Sequence, residues 1–287
     1  MKADKCPVCT SVHHVKIAEE IYSDELFESS RCSNCTVLFT SYSSKDYNIN
    51  YHTPDESTFN EKYGAILKGN RLHDRHENYL EEVALVCEHF TRGRYLDIGC
   101  NAGWLLGYLQ KHTALDLYGL EPSHFLADLT AKRLNIKVYN AYVQEGVLEK
   151  DYFDFISLTD VFEHIPNPHE VLQVARDALK KNGKIMIKVP NGDFSLLKYR
   201  LRFLGNSLIR RHDVFDAKEH FIHYNKSALE YVLRNNGFKI VSCIVPKPIQ
   251  TAGSKKATLL MRSLIYRLAK HGMFPPQDIL CIAEKAQ

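Results

Sequence analysis

Apolar positions along this chain fall into runs whose period changes twice. Over the first 45 residues they form short strand-like runs, at 12–17, 26–28 and 37–40. Residues 43–60 are rich in Ser, Asn, Tyr and Asp, contain Pro54, and read as a linker. Leu72, Tyr79, Leu80, Val83, Val86 and Cys87 then recur near the helical period and predict an amphipathic helix over 70–90. From residue 95 onward strands and helices alternate. Strands are expected at 95–98, 116–120, 137–139, 153–158 and 184–189, and helices at 102–112, 124–134 and 169–180. That alternation predicts a parallel sheet with helices on both faces. A helix at 226–235 stops at Asn236-Gly237, a good capping pair, before a strand at 239–245, a helix at 257–270 and a last strand at 278–284. The divisions expected are 1–45, a linker at 46–69, and one large domain at 70–287.

Composition adds little until the cysteines are placed. Apolar residues at 45% and charged residues at 25% are ordinary for a soluble globular chain with a sizeable core. No apolar run approaches the roughly 20 residues that span a bilayer. The opening residues Met1–Cys6 lack a signal-type stretch, so a cytoplasmic location is the expectation. A net charge of +3 is small for a dedicated nucleic-acid binder, which disfavours that partner class. Eight cysteines in a reducing compartment are not expected to form a disulfide framework. Two Cys-x-x-Cys pairs, Cys6/Cys9 and Cys32/Cys35, supply the four thiolates of a structural Zn²⁺ ribbon. Cys87, Cys100, Cys243 and Cys281 read as small buried residues.

The most informative stretch runs from a strand through Leu96-Asp97-Ile98-Gly99-Cys100-Asn101-Ala102-Gly103-Trp104 into a helix. Glycines at such a turn let backbone approach a ligand and expose helix N-terminal N–H groups. Glu121, ending the next strand, is placed to accept hydrogen bonds from ribose hydroxyls. These two features together resemble the first motif and the second-strand acid of class I S-adenosylmethionine-dependent methyltransferases, over about residues 70–245. The resemblance implies a Rossmann-like, seven-stranded, mostly parallel sheet with an antiparallel last strand. It further implies that Gly99 and Gly103 make room for the methionine part of the cofactor, and that Asp97 holds its amino group. Asn101 stands where the family usually has Gly; Asn tolerates the left-handed conformation best after Gly. Tyr142 is the expected adenine contact.

A second signature, Phe153 to Pro166 with Asp160, Glu163 and His164, resembles the fourth-strand motif of the ubiquinone-biosynthesis O-methyltransferase group. Ligands in open α/β sheets lie beyond the carboxyl ends of the strands, so Asp160 should border cofactor and acceptor alike. His220, before a later helix, stands where the same group often has a His. Two chemical roles stay open. His164 or His220 could act as general base, since imidazole as a group titrates near neutrality. Alternatively Asp160, Glu163, His164 and His220 could bind Mg²⁺ or another divalent ion, as in some relatives. Purely structural roles are the third reading, with His223 as a packed surface residue.

Residues 193–213 mix leucines with Lys198, Arg200, Arg202, Arg210 and Arg211, and are expected to form a lid whose cations could meet a phosphate. A small-molecule acceptor follows, with a nucleotide- or lipid-linked sugar or glycan precursor favoured by resemblance to ribbon-bearing bacterial enzymes of sugar pathways. An rRNA or tRNA methyltransferase gripping RNA with its ribbon is the alternative. A non-catalytic interaction protein that keeps the cofactor fold is a third class. The ribbon is expected to close over the active site, bind a partner or help recognise substrate.

Overall fold

The computed structural model describes residues 4–22, 25–42, 55–201, 215, 220–248 and 256–286. Three antiparallel strands, β1 (His14–Tyr22), β2 (Glu25–Cys32) and β3 (Leu38–Tyr42), follow the first Cys pair and enclose the second. Their sheet gains a fourth strand from far along the chain: β9 (Ile222–His223) pairs with β3, Leu38 opposite His223 and Phe39 opposite Ile222. Val8, Phe27, Val37 and Phe39 are buried in the same apolar cluster as the core of the large domain. Ribbon and domain therefore share one hydrophobic core.

The stretch at 46–69, expected to be a linker, carries helix α1 (Glu56–Leu67). Asp55 caps it, accepting the Thr58 N–H at 2.9 Å. Phe59, Tyr63, Ile66 and Leu67 recur at helical spacing, and Phe59 is buried against Trp104 and Phe125. Helix α2 (His76–Cys87) follows, shorter at its start than the span expected.

The main sheet has the order β10-β11-β8-β7-β4-β5-β6. In chain order its strands are β4 (Arg92–Ile98), β5 (Ala114–Leu120), β6 (Lys137–Tyr139), β7 (Phe153–Thr159), β8 (Leu179–Pro190), β10 (Phe238–Ile244) and β11 (Asp278–Lys285). Neighbours from β6 to β8 are parallel, and β11 runs antiparallel to both β8 and β10, as the resemblance implies. Helices α3 (Trp104–His112), α4 (His124–Leu134), α5 (Pro168–Ala178) and α7 (Lys226–Asn235) connect them. Strand β8 begins where the expected helix at 169–180 would still be running, with Leu179 paired to Phe153. Of the expected lid, residues 193–201 lie in helix α6 (Gly192–Leu201), while 202–213 lie outside the described residues.

One expectation about the cysteines is overturned. Cys243 and Cys281 face each other in the β10–β11 register and are joined by a disulfide, their Cα atoms 4.1 Å apart. Directly opposed residues of an antiparallel pair approach this closely, so the pairing follows from register and not from sequence spacing.

Candidate functional site

The turn after β4 is shaped by three left-handed residues, Gly99 (φ 72°), Asn101 (φ 50°) and Gly103 (φ 68°). Asn101 adopts the conformation for which its residue type is suited, and its side chain accepts the Ala102 N–H at 2.7 Å. A Cβ on Gly99 would lie 2.5 Å from Val161 Cγ2, and one on Gly103 2.6 Å from Thr130 Cγ2. Gly103 thus permits α3 and α4 to pack closely, and it is absent from the lining of the adjoining cavity.

That cavity, about 200 Å³, opens at the carboxyl ends of β4, β5 and β7. Asp97, Gly99, Asn101, Glu121 and Asp160 all line it. Asp97 is buried and accepts the Ser157 hydroxyl at 2.6 Å. Burial pushes its carboxyl up to about 7, against the opposite pull of Ser157. Glu121 accepts the backbone N–H groups of Asn101 and Ser123, each at 2.9 Å, and burial still raises its pKa. Tyr142 is 57% exposed and outside the lining.

The far wall comes from residues that the sequence pattern did not single out. Tyr63 of α1, His73 and Arg75 enclose the cavity with Trp104. His73 stacks on Tyr63, with centroids 5.9 Å apart, and lies 4.9 Å from the Trp104 ring. Burial, aided by Arg75, lowers His73 to about 4 and keeps it neutral. Arg75 pairs with Asp160, yet its Nε has no hydrogen-bond partner among the described residues. Burial raises the Asp160 pKa, but Lys188 and Arg75 outweigh it and hold the carboxylate ionised. Lys188 in turn binds Glu82 at 3.0 Å. Asp160, in the left-handed region at φ 55°, is thereby committed to cations and does not join the histidines. The polar run His73-Asp74-Arg75-His76 leading into α2 was the available signal for this wall.

These groups fit an adenosyl–methionine ligand. A carboxylate at the end of β5, a second at the end of β4 and the Arg75 guanidinium at the wall are the acceptor and donor types that such a ligand's ribose, amino and carboxylate groups need.

Beyond β7 a 3-10 turn, Phe162–His164, brings Glu163 and His164 toward His220. One ligand atom from each of the three lies within 4.8 Å of the others, and the two imidazole centroids are 4.8 Å apart. Burial, with Asp160 adding to it, raises the Glu163 carboxyl well above the usual range, and its Oε2 has no partner among the described residues. His223, expected on the surface, is buried at the β9 edge with its centroid 5.9 Å from that of His220; burial lowers it to about 3.

At the ribbon tip the sulfurs of Cys6 and Cys35, and of Cys9 and Cys32, lie 3.5 Å apart, all four within 4.8 Å. A tetrahedral S₄ zinc site with Zn–S near 2.3 Å has edges of about 3.8 Å, so the four thiols suit that ion. Each pair is followed by a left-handed threonine, Thr10 and Thr36, whose N–H returns to the carbonyl of Cys6 or Cys32. The Asn34 N–H also points at the Cys32 sulfur, at 3.4 Å.

Residues 71–243 match the model of a methyltransferase domain family. Ubiquinone biosynthesis O-methyltransferase of Coxiella burnetii is 27% identical over 111 residues, covering 37% of this chain and 47% of the relative. An uncharacterized protein of Methanocaldococcus jannaschii is 29% identical over 120 residues, 42% of this chain and 56% of that one. The chain thus spans about half the length of the curated relatives it matches. Among solved structures, the methyltransferase in complex with the Trm112 methyltransferase activator of Haloferax volcanii has a TM-score of 0.57 at 13% identity, covering 79% of this chain and 96% of that one. A SAM-dependent methyltransferase from Archaeoglobus fulgidus has a TM-score of 0.53 at 19% identity, with coverage of 81% and 100%. Turn, strand-end carboxylates and family match coincide on one stretch, and the chain belongs to the methyltransferase domain family.

Proposed function

We propose that the protein transfers a methyl group from S-adenosylmethionine to a hydroxyl of a small metabolite, with a sugar or glycan precursor as the favoured class. One observation carries the reading: the carboxylates of Asp97 and Glu121 flank the Gly99–Gly103 turn at one sheet edge, and His164 and His220 converge at the end of β7 beside it. When bound, the cofactor supplies an electrophilic methyl group on a sulfonium. In this reading Asp97 holds its amino group, Glu121 its ribose, and Arg75 its carboxylate. An imidazole of the His164–His220 pair takes the proton of the acceptor hydroxyl as the C–O bond forms and the C–S bond breaks. Oxygen chemistry is supported by the O-methyltransferase relatives, while the sugar class rests on the sequence resemblance alone.

Two metals belong to the proposal. Zn²⁺ at Cys6, Cys9, Cys32 and Cys35 would fix the ribbon. A divalent ion such as Mg²⁺ at Glu163, His164 and His220 would lower the pKa of the acceptor hydroxyl, in place of a free base. RNA as acceptor is disfavoured by charge. Between His14 and Cys32 the ribbon sequence has five carboxylates against two cations, the wrong sign for gripping phosphates.

Calorimetric titration of metal-analysed protein with S-adenosylhomocysteine, with and without Mg²⁺, tests the cofactor assignment. Micromolar binding is expected. Absence of binding in both conditions would leave a non-catalytic interaction protein. Incubation with labelled cofactor and panels of nucleotide sugars or RNA then tests the acceptor, and label on RNA alone would overturn the sugar class.

A further inference from the structure

Helix α8 (Lys256–Lys270) connects β10 to β11, and its apolar residues exceed what its packing uses. Ala269 is buried and Ile265 and Tyr266 half-buried on one face. On the opposite face Leu260 is 72% exposed and Leu264 58%, with Met261 at 50% beside them. Just past the helix Met273 is 66% exposed. Leucines one turn apart and pointing into water are not the scattered apolar residues any surface carries.

The charge around this face is equally uneven. From Tyr231 to Gln277 there are eight Lys and Arg residues and not one Asp or Glu, in a chain whose totals are 37 and 34. Arg267 shares the leucine face, Lys270 flanks it, and neither makes an ion pair with any described residue. Another concentration of exposed apolar side chains among the described residues, Val12, Val15, Ile21 and Leu26 on the ribbon, has Glu19 and Glu28 paired with Lys16 nearby, and Arg31 opposite Val15. On the α8 surface two leucines more than half exposed stand beside cations that pair with no described carboxylate.

We infer that α8 seats the protein on an anionic phospholipid surface, lying in the plane of the interface with Leu260, Met261 and Leu264 inserted and Arg267 and Lys270 at the headgroups. Length and sequence suit this geometry, because an interfacial helix needs an apolar face and a basic flank and need not span the bilayer. No described helix is long and apolar enough to cross a membrane. A second copy of the chain would bring like charges together at this face, and a nucleic acid would leave the leucines unused. At the C-terminal end of α8 a cavity of about 780 Å³ adjoins this face, its lining largely apolar with Met273, Phe274 and Ile279, and with Lys226, Lys270 and Asp193 as its charged groups. The inference stands apart from the methyl-transfer reading, since α8 contributes nothing to the cofactor cavity.

The test is co-sedimentation of the full, zinc-loaded chain with phosphatidylcholine vesicles and with vesicles that also contain phosphatidylglycerol. Binding only to the anionic vesicles is expected, weakened by added salt. In Leu260→Glu/Leu264→Glu partitioning should fall about a hundredfold, with circular dichroism and S-adenosylhomocysteine affinity unchanged. Arg267→Glu/Lys270→Glu should lose the preference for anionic lipid. No sedimentation with anionic vesicles at low salt overturns the inference. So does equal binding by wild type and the leucine variant, as does binding of single-stranded RNA that the leucine variant retains while vesicle binding is absent.

Discussion

Asp97 is the residue whose ionisation separates a cofactor site from a stability element, and Asp97→Asn exposes both roles. The folded carboxyl is raised from 3.8 to about 7, chiefly by burial. A proton is held more tightly in the folded than in the unfolded chain, so this group's stability contribution is whole below its unfolded pKa and is lost as pH rises through about 7. Three units at about 1.4 kcal/mol each give up to about 4 kcal/mol of destabilisation above that range. Asparagine cannot ionise, keeps an acceptor for Ser157 Oγ and escapes this cost. Urea unfolding of both proteins between about pH 5 and about pH 8 should show the variant gaining on wild type as pH rises. Cofactor binding should move the opposite way. On the proposed assignment the variant would lose a charge-assisted hydrogen bond to the cofactor amino group, about 1.5–3 kcal/mol, and should bind S-adenosylhomocysteine tenfold or more weakly. Wild-type affinity should also weaken below about pH 7 while the variant's stays flat. A stability difference that does not change with pH, or undiminished affinity in the variant, refutes the reasoning.

Four further outcomes are expected. Gly99→Ala, at φ 72° with its Cβ 2.5 Å from Val161 Cγ2, should lose about 1–3 kcal/mol in chemical denaturation; an unchanged midpoint would mean that the turn relaxes freely. Arg75→Met should weaken S-adenosylhomocysteine binding about tenfold by calorimetry, and unchanged affinity would leave Arg75 only its pairing with Asp160. Cys6→Ser should lose stoichiometric zinc by elemental analysis and lower the melting temperature; one retained zinc per chain would count against four thiolate ligands. His220→Asn should lower kcat about 10²–10⁴-fold with cofactor affinity intact, and unaltered turnover would remove it from proton transfer.

What the sequence made legible is what local rules govern. The strand–turn–helix at Leu96–Trp104 announced itself by glycine placement, and Asn101 adopts the left-handed conformation its type allows. The alternation after residue 95 gave the parallel strands because buried parallel strands are continuous apolar runs. What stayed hidden depends on distant partners. Helix α1 was obscured by the polar residues around Phe59 and Tyr63, and its place is fixed by Trp104 and His73. The site wall at Arg75 became visible only when Asp160, 85 positions on, came within reach. A Cβ at Gly103 would meet Thr130 and Leu134 of α4, a packing requirement that the motif alone does not announce. Likewise Asp160 drew two cations, which sequence order could not separate from ligation beside Glu163.

The short β3–β9 pairing has a thermodynamic consequence. Strand β9 begins two residues after His220, so the segment that presents one of the two converging imidazoles leads into an edge strand of the four-cysteine ribbon's sheet. Zinc held by the four cysteines, as proposed, would by ordering the ribbon also help to hold that imidazole in register. Linkage runs both ways: an acceptor that immobilises His220 should slow the escape of zinc to a chelator, and stripping the ion should weaken acceptor binding before it unfolds the sheet that carries Asp97 and Glu121.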